Sequence, residues 1–491
     1  SKIDSDGYID RSTSDLKSYF LQFSYKKENT LIKFLNFGGH EITYHAWNGI
    51  DGETLQNNRT FNPSGLYTDL NGVQQFHEDE LDNYKQDHYQ MHLNQKIDSK
   101  WSTNIGLNYT YGRGYFEQFR EDDDVSTYGG IVVSDLDTNG NELGTTDLIR
   151  RRWLDNNFYV FNTTFNYVSS KLNMNFSSYY SSYSGDHFGE VIWARQIGVN
   201  NSIRDEYYRG NGKKTEWSLF AKSSYLLNNA LEIFGDLQFR KVSYKTAGLT
   251  SDLVNMLVDQ TYNFFNPKFG LSYELNLNSN LFFSYSRANR EPSRSDYENN
   301  PNIKSEKLND FELGWRYRKD GLKFNANIYY MLYDEQLILT GALDDVGTPI
   351  RTNSGQSYRF GFELDSGYKF SESFLLNANM TLSSNKNEEI ISLVDGALFN
   401  HGKTNISFSP SIIGSSSIVF NPNDKTSFSF LSKYVGSQYM GNTDAINSKL
   451  ESYFINDLNF SFILSSKETF DSVIFSGVVN NIFNKKYISN G

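Results

Sequence analysis

Hydrophobic and polar residues alternate with period two along almost the whole chain. Between positions 322 and 333, Leu322, Phe324, Ala326, Ile328, Tyr330 and Leu332 share one face. Lys323, Asn325, Asn327, Tyr329, Met331 and Tyr333 share the other. The same alternation runs through 311–318, 358–370 and 374–383. It is the mark of a β-strand with one apolar and one polar face. Matching that template predicts about 18 strands. They lie at 14–26, 30–44, 79–97, 101–119, 155–168, 171–184, 214–227, 230–243, 263–275, 279–288, 308–319, 322–336, 355–369, 372–386, 404–421, 425–440, 450–464 and 470–483.

The connections alternate in length. Short turns fall at 27–29, 98–100, 169–170, 228–229, 320–321, 371 and 422–424. Long polar loops fall at 45–78, 120–154, 185–213, 244–262, 289–307, 337–354 and 387–403. An up-and-down barrel across an outer membrane segregates loop length by end in this way. A closed barrel also removes sheet edges and satisfies every backbone group in lipid. The fold expected is therefore all-β, a transmembrane antiparallel up-and-down β-barrel. Pro63, Pro292, Pro301, Pro349 and Pro422 fall in connections, while Pro267 and Pro410 fall inside expected strands, where a missing N–H costs a ladder bond.

Composition sharpens this reading. The 491 residues include 34 Tyr, 38 Phe and 6 Trp, yet only 38 % of them are hydrophobic. A soluble chain of this length needs a larger apolar core. Apolar runs stop well short of the roughly 18 residues a spanning helix requires, but a spanning strand needs only about 10. Trp101, Trp153, Tyr333 and Tyr453, near strand ends, suit interfacial girdles. The net charge of −12 disfavours nucleic acid as a partner. The absence of cysteine excludes disulfides and thiolate chemistry.

Three stretches carry a family resemblance. Ser284-Tyr285-Ser286-Arg287-Ala288-Asn289-Arg290-Glu291-Pro292-Ser293 resembles the entry to an extracellular loop of TonB-dependent outer-membrane receptors. Lys304-Ser305-Glu306-Lys307-Leu308-Asn309-Asp310-Phe311-Glu312-Leu313-Gly314 resembles their next strand, with Ser305 in place of the usual proline. Val479-Asn480-Asn481-Ile482-Phe483-Asn484-Lys485-Lys486-Tyr487 resembles their penultimate strand. The stretch from Tyr44 to Ile50 looks like a version common in Bacteroidetes-type members. The resemblance implies a 22-stranded barrel around a plug. On that count the whole chain, 1–491, is a partial barrel from which the plug, the first three strands and the last strand are missing. It also implies a bacterial outer-membrane location, membrane lipid and the TonB complex as partners (the latter through the missing N-terminal region), and a monomer.

No catalytic motif stands out, so no enzymatic activity is expected. His88 and His92 share a strand face about 13 Å apart, too far to hold one ion. His45 and His77 flank one loop and could approach each other, or a haem or metal complex. Glu121-Asp122-Asp123-Asp124 reads as a solvated charge run or as a loop-stabilising calcium site. Ligand recognition is sought at loop roots, in Trp47, Tyr111, Tyr115, Trp193, Tyr207, Tyr208, Arg290, Tyr297 and Arg351, because rings stack on flat ligands and arginines pair with anionic groups. Glu312, Arg316, Arg318, Arg359, Glu363, Asp365 and Lys369 read as a plug-facing ladder or as self-paired wall charge. The resemblance implies active uptake of a bulky scarce nutrient, first an iron–siderophore complex, then cobalamin or haem. A passive porin or adhesin, and a soluble β-rich carbohydrate-binding protein, are the competing readings.

Overall fold

A computed structural model describes residues 1–69, 71–343, 349–394, 397–466 and 470–489. Parts of the expected loops 337–354 and 387–403 therefore lie outside the described residues. The chain is all-β; among the described residues there are two short helices, Gly52–Asn57 and Arg294–Asn299, and two single turns of 3-10 helix. Every expected strand span meets a strand, and neighbours in sequence pair antiparallel wherever the register is defined.

The chain divides into two compact units. The first comprises Ser1–Ser169, Met174–Ala221 and Phe239–Phe264. In it the strands Ser14–Lys27, Thr30–Tyr44, Leu81–Lys96, Trp101–Asp124 and Thr145–Val168 pair in chain order. Their register aligns one apolar row across five strands: Phe23, Phe34, Met91, Leu107 and Phe161. These rings and aliphatic chains point out of the sheet, with Phe34 53 % and Leu107 48 % exposed. A tyrosine row, Tyr89, Tyr109 and Tyr159, borders the belt on the loop side. Trp101 and Tyr167 border it on the turn side, their rings 5.0 Å apart. Eight residues separate Tyr109 from Trp101, about 27 Å along a strand and about 20 Å along the normal once tilted. That approaches the roughly 25 Å height of a lipid-facing apolar band.

The second unit comprises Ser170–Asn173, Lys222–Gln238 and Phe265–Gly491. Its strands Ser279–Arg290, Glu306–Lys319, Leu322–Asp334, Gln356–Lys369 and Phe374–Val394 form an unbroken ladder in chain order. Phe311, Leu313 and Trp315 are exposed on one face. Ile412–Asn423, Thr426–Val435, Tyr453–Ser466 and Phe470–Val479 continue the pairing.

Several of the short turns share one device: a side chain from the turn accepts the backbone N–H groups that the reversal leaves free. Asp98 accepts from Lys100 and Trp101, and Asn228 from Ala230 and Leu231. Those bonds hold the Asp98 carboxyl below the usual carboxylate range. The two-residue turn of Asp320 and Gly321 has φ of 50° and 80°, the mirror-image turn that matches strand twist. Gly321→Ala is expected to cost about 1 kcal/mol in equilibrium unfolding, because a Cβ in the left-handed region is strained. It would also stand 3.2 Å from the Lys369 carbonyl oxygen.

Three expectations need correction. The strands overrun the expected loops: Thr145–Val168 begins ten residues early and Trp101–Asp124 runs to position 124. Beyond the lipid belt both faces of a strand are polar, so the hydropathy alternation fades while the ladder continues. Two main-sheet strands, Lys2–Ser5 and Ala397–Asn405, were not expected, the first too short to show a pattern and the second hidden in the loop 387–403. The expected strand 404–421 is broken after Asn405. Pro410, which lacks an N–H, lies in the break, so Phe374–Val394 pairs first with Ile412–Asn423 and then with Ala397–Asn405. Pro267, by contrast, stays within the strand Asn255–Asn276, one residue before its ladder to Ser279–Arg290 begins.

Candidate functional site

In the first unit, the loop end of the polar face gathers groups from three distant segments. The register sets Asp82, Phe116 and Arg152 side by side on adjacent strands. The loop after Thr30–Tyr44 lays His45 and Trp47 against them. The His45 ring lies 4.0 Å from that of Trp47 and 5.9 Å from that of Phe116. The Arg152 guanidinium sits 5.6 Å from the Phe116 ring. His45 is almost fully buried, with Nδ1 3.6 Å from a Glu80 carboxylate oxygen and neither ring nitrogen in a hydrogen bond. Trp47 remains 37 % exposed. A half-open indole on a buried imidazole offers one ring face for stacking, with the Arg152 guanidinium buried against Phe116 behind it.

The opposite face of the same strands holds a second aromatic–arginine series. Tyr115 lies 4.7 Å from Trp153, which stacks on Phe188 at 5.9 Å. Arg151 covers Tyr115 at 4.1 Å and pairs with Glu117 at 2.6 Å. His77 meets Glu117 at 3.5 Å. His45 and His77 therefore contact different carboxylates, Glu80 and Glu117.

The sequence candidates occupy several different settings. Trp47 belongs to the polar-face cluster. Tyr111 and Tyr115 share the face of Leu107, because two-residue steps preserve the face. Trp193 is 43 % exposed, its ring 6.5 Å from Phe119. Tyr207 and Tyr208 are buried with Tyr128, Leu148 and Val191. Burial pushes the Tyr128 hydroxyl far above its ordinary range. His45, Phe116 and Arg152 were not anticipated as a group. Only the strand register, which a sequence does not state, brings them together.

In the second unit the candidates build a loop scaffold. Ser293 and Asp296 form a capping box on the helix Arg294–Asn299. Arg351 grips Asp296 with two hydrogen bonds of 2.9 and 2.8 Å and Ser293 with a third of 3.0 Å. Tyr297 is buried on that helix, and Arg290 pairs with Glu306 at 3.2 Å. On the polar strand face, Arg316 lies 4.4 Å from the Phe282 ring, and Arg318 stands opposite Lys323. Asp365 pairs with Lys323 at 3.5 Å, Arg359 donates to Ser409 and Lys369 pairs with Glu372. Glu312 adjoins Asp310, and Glu363 stands opposite Asn327 and Thr381.

The acidic run is dispersed. Glu121 accepts from the Thr68 N–H, Asp123 binds Arg120 and Tyr128, and Asp124 caps a short 3-10 turn. Among the described residues no group of three or more His, Asp or Glu is placed to hold a metal ion.

Tall antiparallel strands with an apolar belt on one face and a polar face opposite define the wall of an outer-membrane β-barrel. The chain belongs to the TonB-dependent receptor family: the family model described as TonB dependent receptor-like, beta-barrel, matches residues 24–482. Members are outer-membrane receptors and transporters rather than enzymes. Solved structures share the fold. The ferric citrate transporter FecA in its unliganded form superposes with a TM-score of 0.70 at 14% identity, covering 98% of this chain and 67% of that one. The copper transporter OprC gives 0.70 at 14%, covering 99% and 69%. The closed form of the ferric-catecholate import receptor Fiu from E. coli K12 gives 0.62 at 13%, covering 98% and 72%. None of the curated proteins matches the sequence.

Proposed function

We propose that this barrel takes up an iron–siderophore complex, with cobalamin or haem as the next ligand classes, and that the ligand first meets the Trp47–His45–Phe116–Arg152 cluster. The observation that carries the reading is this cluster on the polar face of a TonB-dependent receptor barrel. Trp47 stacks on the planar part of the chelate, while the buried positive charge of Arg152 behind Phe116 favours an anion there. Structural neighbours named for ferric citrate, ferric catecholates, ferric yersiniabactin and ferric preacinetobactin support iron as the cargo. Transport then draws on the proton-motive force through TonB. The ladder Glu312, Arg316, Arg318, Arg359, Glu363, Asp365 and Lys369 is the surface assigned to the family's plug.

The test pairs growth with binding. A deletion strain should grow poorly on one ferric siderophore as sole iron source and recover with the wild-type gene. Unchanged growth on ferric siderophores, cobalamin and haem alike would remove the importer reading. Trp47→Ala should weaken binding of the responsive ligand about three- to tenfold, the worth of one aromatic stack. Unaltered affinity would place the ligand elsewhere.

A further inference from the structure

We infer that the first unit carries a site for a phosphorylated membrane lipid on its apolar face, with acyl chains in a groove of the belt and the phosphate held by Lys85 and Arg113. The groove is lined by Leu21, Phe34, Tyr89, Met91, Leu107 and Phe161 among others, on the strands whose register is given above. Its upper rim is the tyrosine row, in which Tyr89 lies 6.0 Å from Tyr109 and Tyr109 lies 4.8 Å from Tyr159. Four residues further up the same strands, still on the same face, Lys85 stands directly opposite Arg113. His40 stands opposite Lys85, and Lys17 opposite His40. The step from tyrosines to cations is about 14 Å along a strand, or about 10 Å along the normal. It carries a side chain from the edge of the hydrocarbon into the headgroup layer.

The cations keep donors to spare. Lys85 meets Asp87 at 3.3 Å, Arg113 meets Asp155 at 3.2 Å and Lys17 meets Asp15 at 3.0 Å. An ammonium has three N–H groups and a guanidinium five. The cationic ends are also the open ones, with Lys85 62 % and Arg113 49 % exposed against 15 % and 25 % for Asp87 and Asp155. The Arg113 guanidinium lies 5.1 Å from the Trp153 ring, which holds it beside Lys85. His40 is tied to Asn83 at 2.8 Å and frames the row rather than supplying a free cation. A free anion gains nothing from an apolar groove below it, whereas a phosphorylated lipid engages both parts. A protein partner gains little by leaving hydrocarbon for this groove, because lipid tails are as apolar as its own side chains.

The site is tested on the purified full chain in detergent micelles, by titrating bisphosphorylated lipid A and the same lipid stripped of phosphate. The phosphorylated lipid should bind about tenfold more tightly, and the Lys85→Gln, Arg113→Gln double variant should erase that preference. Leu107→Trp, which fills the groove, should weaken both lipids. Equal binding of the two lipids, or a preference that survives the double variant, overturns the inference. So does competition by millimolar inorganic phosphate, which would make this a free-anion site. A dimer in light scattering that Leu107→Trp dissociates would show a second copy in the groove and would also overturn it. The readout requires no transport, so it stands apart from the uptake test.

Discussion

Leu107→Arg is expected to cost the folded barrel about 1–3 kcal/mol, measured by reversible denaturant unfolding in lipid vesicles, with Asn108→Arg as the matched control. The two positions are neighbours on one strand, yet they face opposite ways. Leu107 lies inside the belt, two residues from the Tyr109 border and six from the turn-side Trp101, in the row with Met91 and Phe161. A guanidinium placed there enters hydrocarbon, and the cost of a cation on the lipid face is greatest near mid-bilayer. Asn108 sits on the polar face, where its amide donates to Thr110. An arginine there reaches water or other polar groups, so the cost should fall below about 1 kcal/mol. A similar loss at both positions would mean that the exposed aromatic face is not the lipid face.

The second large effect is expected at Arg351→Ala. Asp296 is 1 % exposed and takes two hydrogen bonds from the guanidinium, which sits 55 positions away in sequence. Removing the cation strands a buried carboxylate, typically about 3–5 kcal/mol when one partner of a buried pair is lost. The helix Arg294–Asn299 hangs on the same carboxylate through its capping box. The loss should therefore be local: amide exchange in 293–300 rises by orders of magnitude, while protection in the strands Glu306–Lys319 and Leu322–Asp334 holds. Arg351→Ala with Asp296→Ala should recover part of the loss, because no buried charge remains alone. Exchange rates unchanged by Arg351→Ala would sink this account.

The wall was more legible in the sequence than the site. In the belt, Phe311, Leu313 and Trp315 alternate with Glu312, Gly314 and Arg316, so lipid writes the strand into the hydropathy. The turn of Asp320 and Gly321 was equally plain, since few other pairs adopt two positive φ angles. Above the belt that signal ends. Positions 145–154 contain Arg150, Arg151 and Arg152 in succession and read as loop, yet they are paired strand. Aromatic and arginine content picked out Trp47 but equally Tyr207 and Tyr208, which are packed beneath loops. Residue type cannot separate a ring that covers a ligand from one that covers a core. Phe116 and Arg152 escaped for a different reason, and His45 was expected beside His77 rather than beside them: their meeting is a product of register and loop path, which no local sequence signal announces.

The overrun of the strands past the tyrosine row has its own consequence. From Tyr109 to Asp124, Trp101–Asp124 runs another fifteen residues, about 50 Å along its axis, paired with Thr145–Val168 except at a bulge between Arg120 and Asp123. The loop end of these strands in the first unit is thus braced by ladder hydrogen bonds formed in water, where their strength owes nothing to the bilayer. Sequence drift at the tips can retune what is captured without loosening the braces. A change of membrane thickness or composition would alter the anchorage of these strands far more than the geometry of their loop ends.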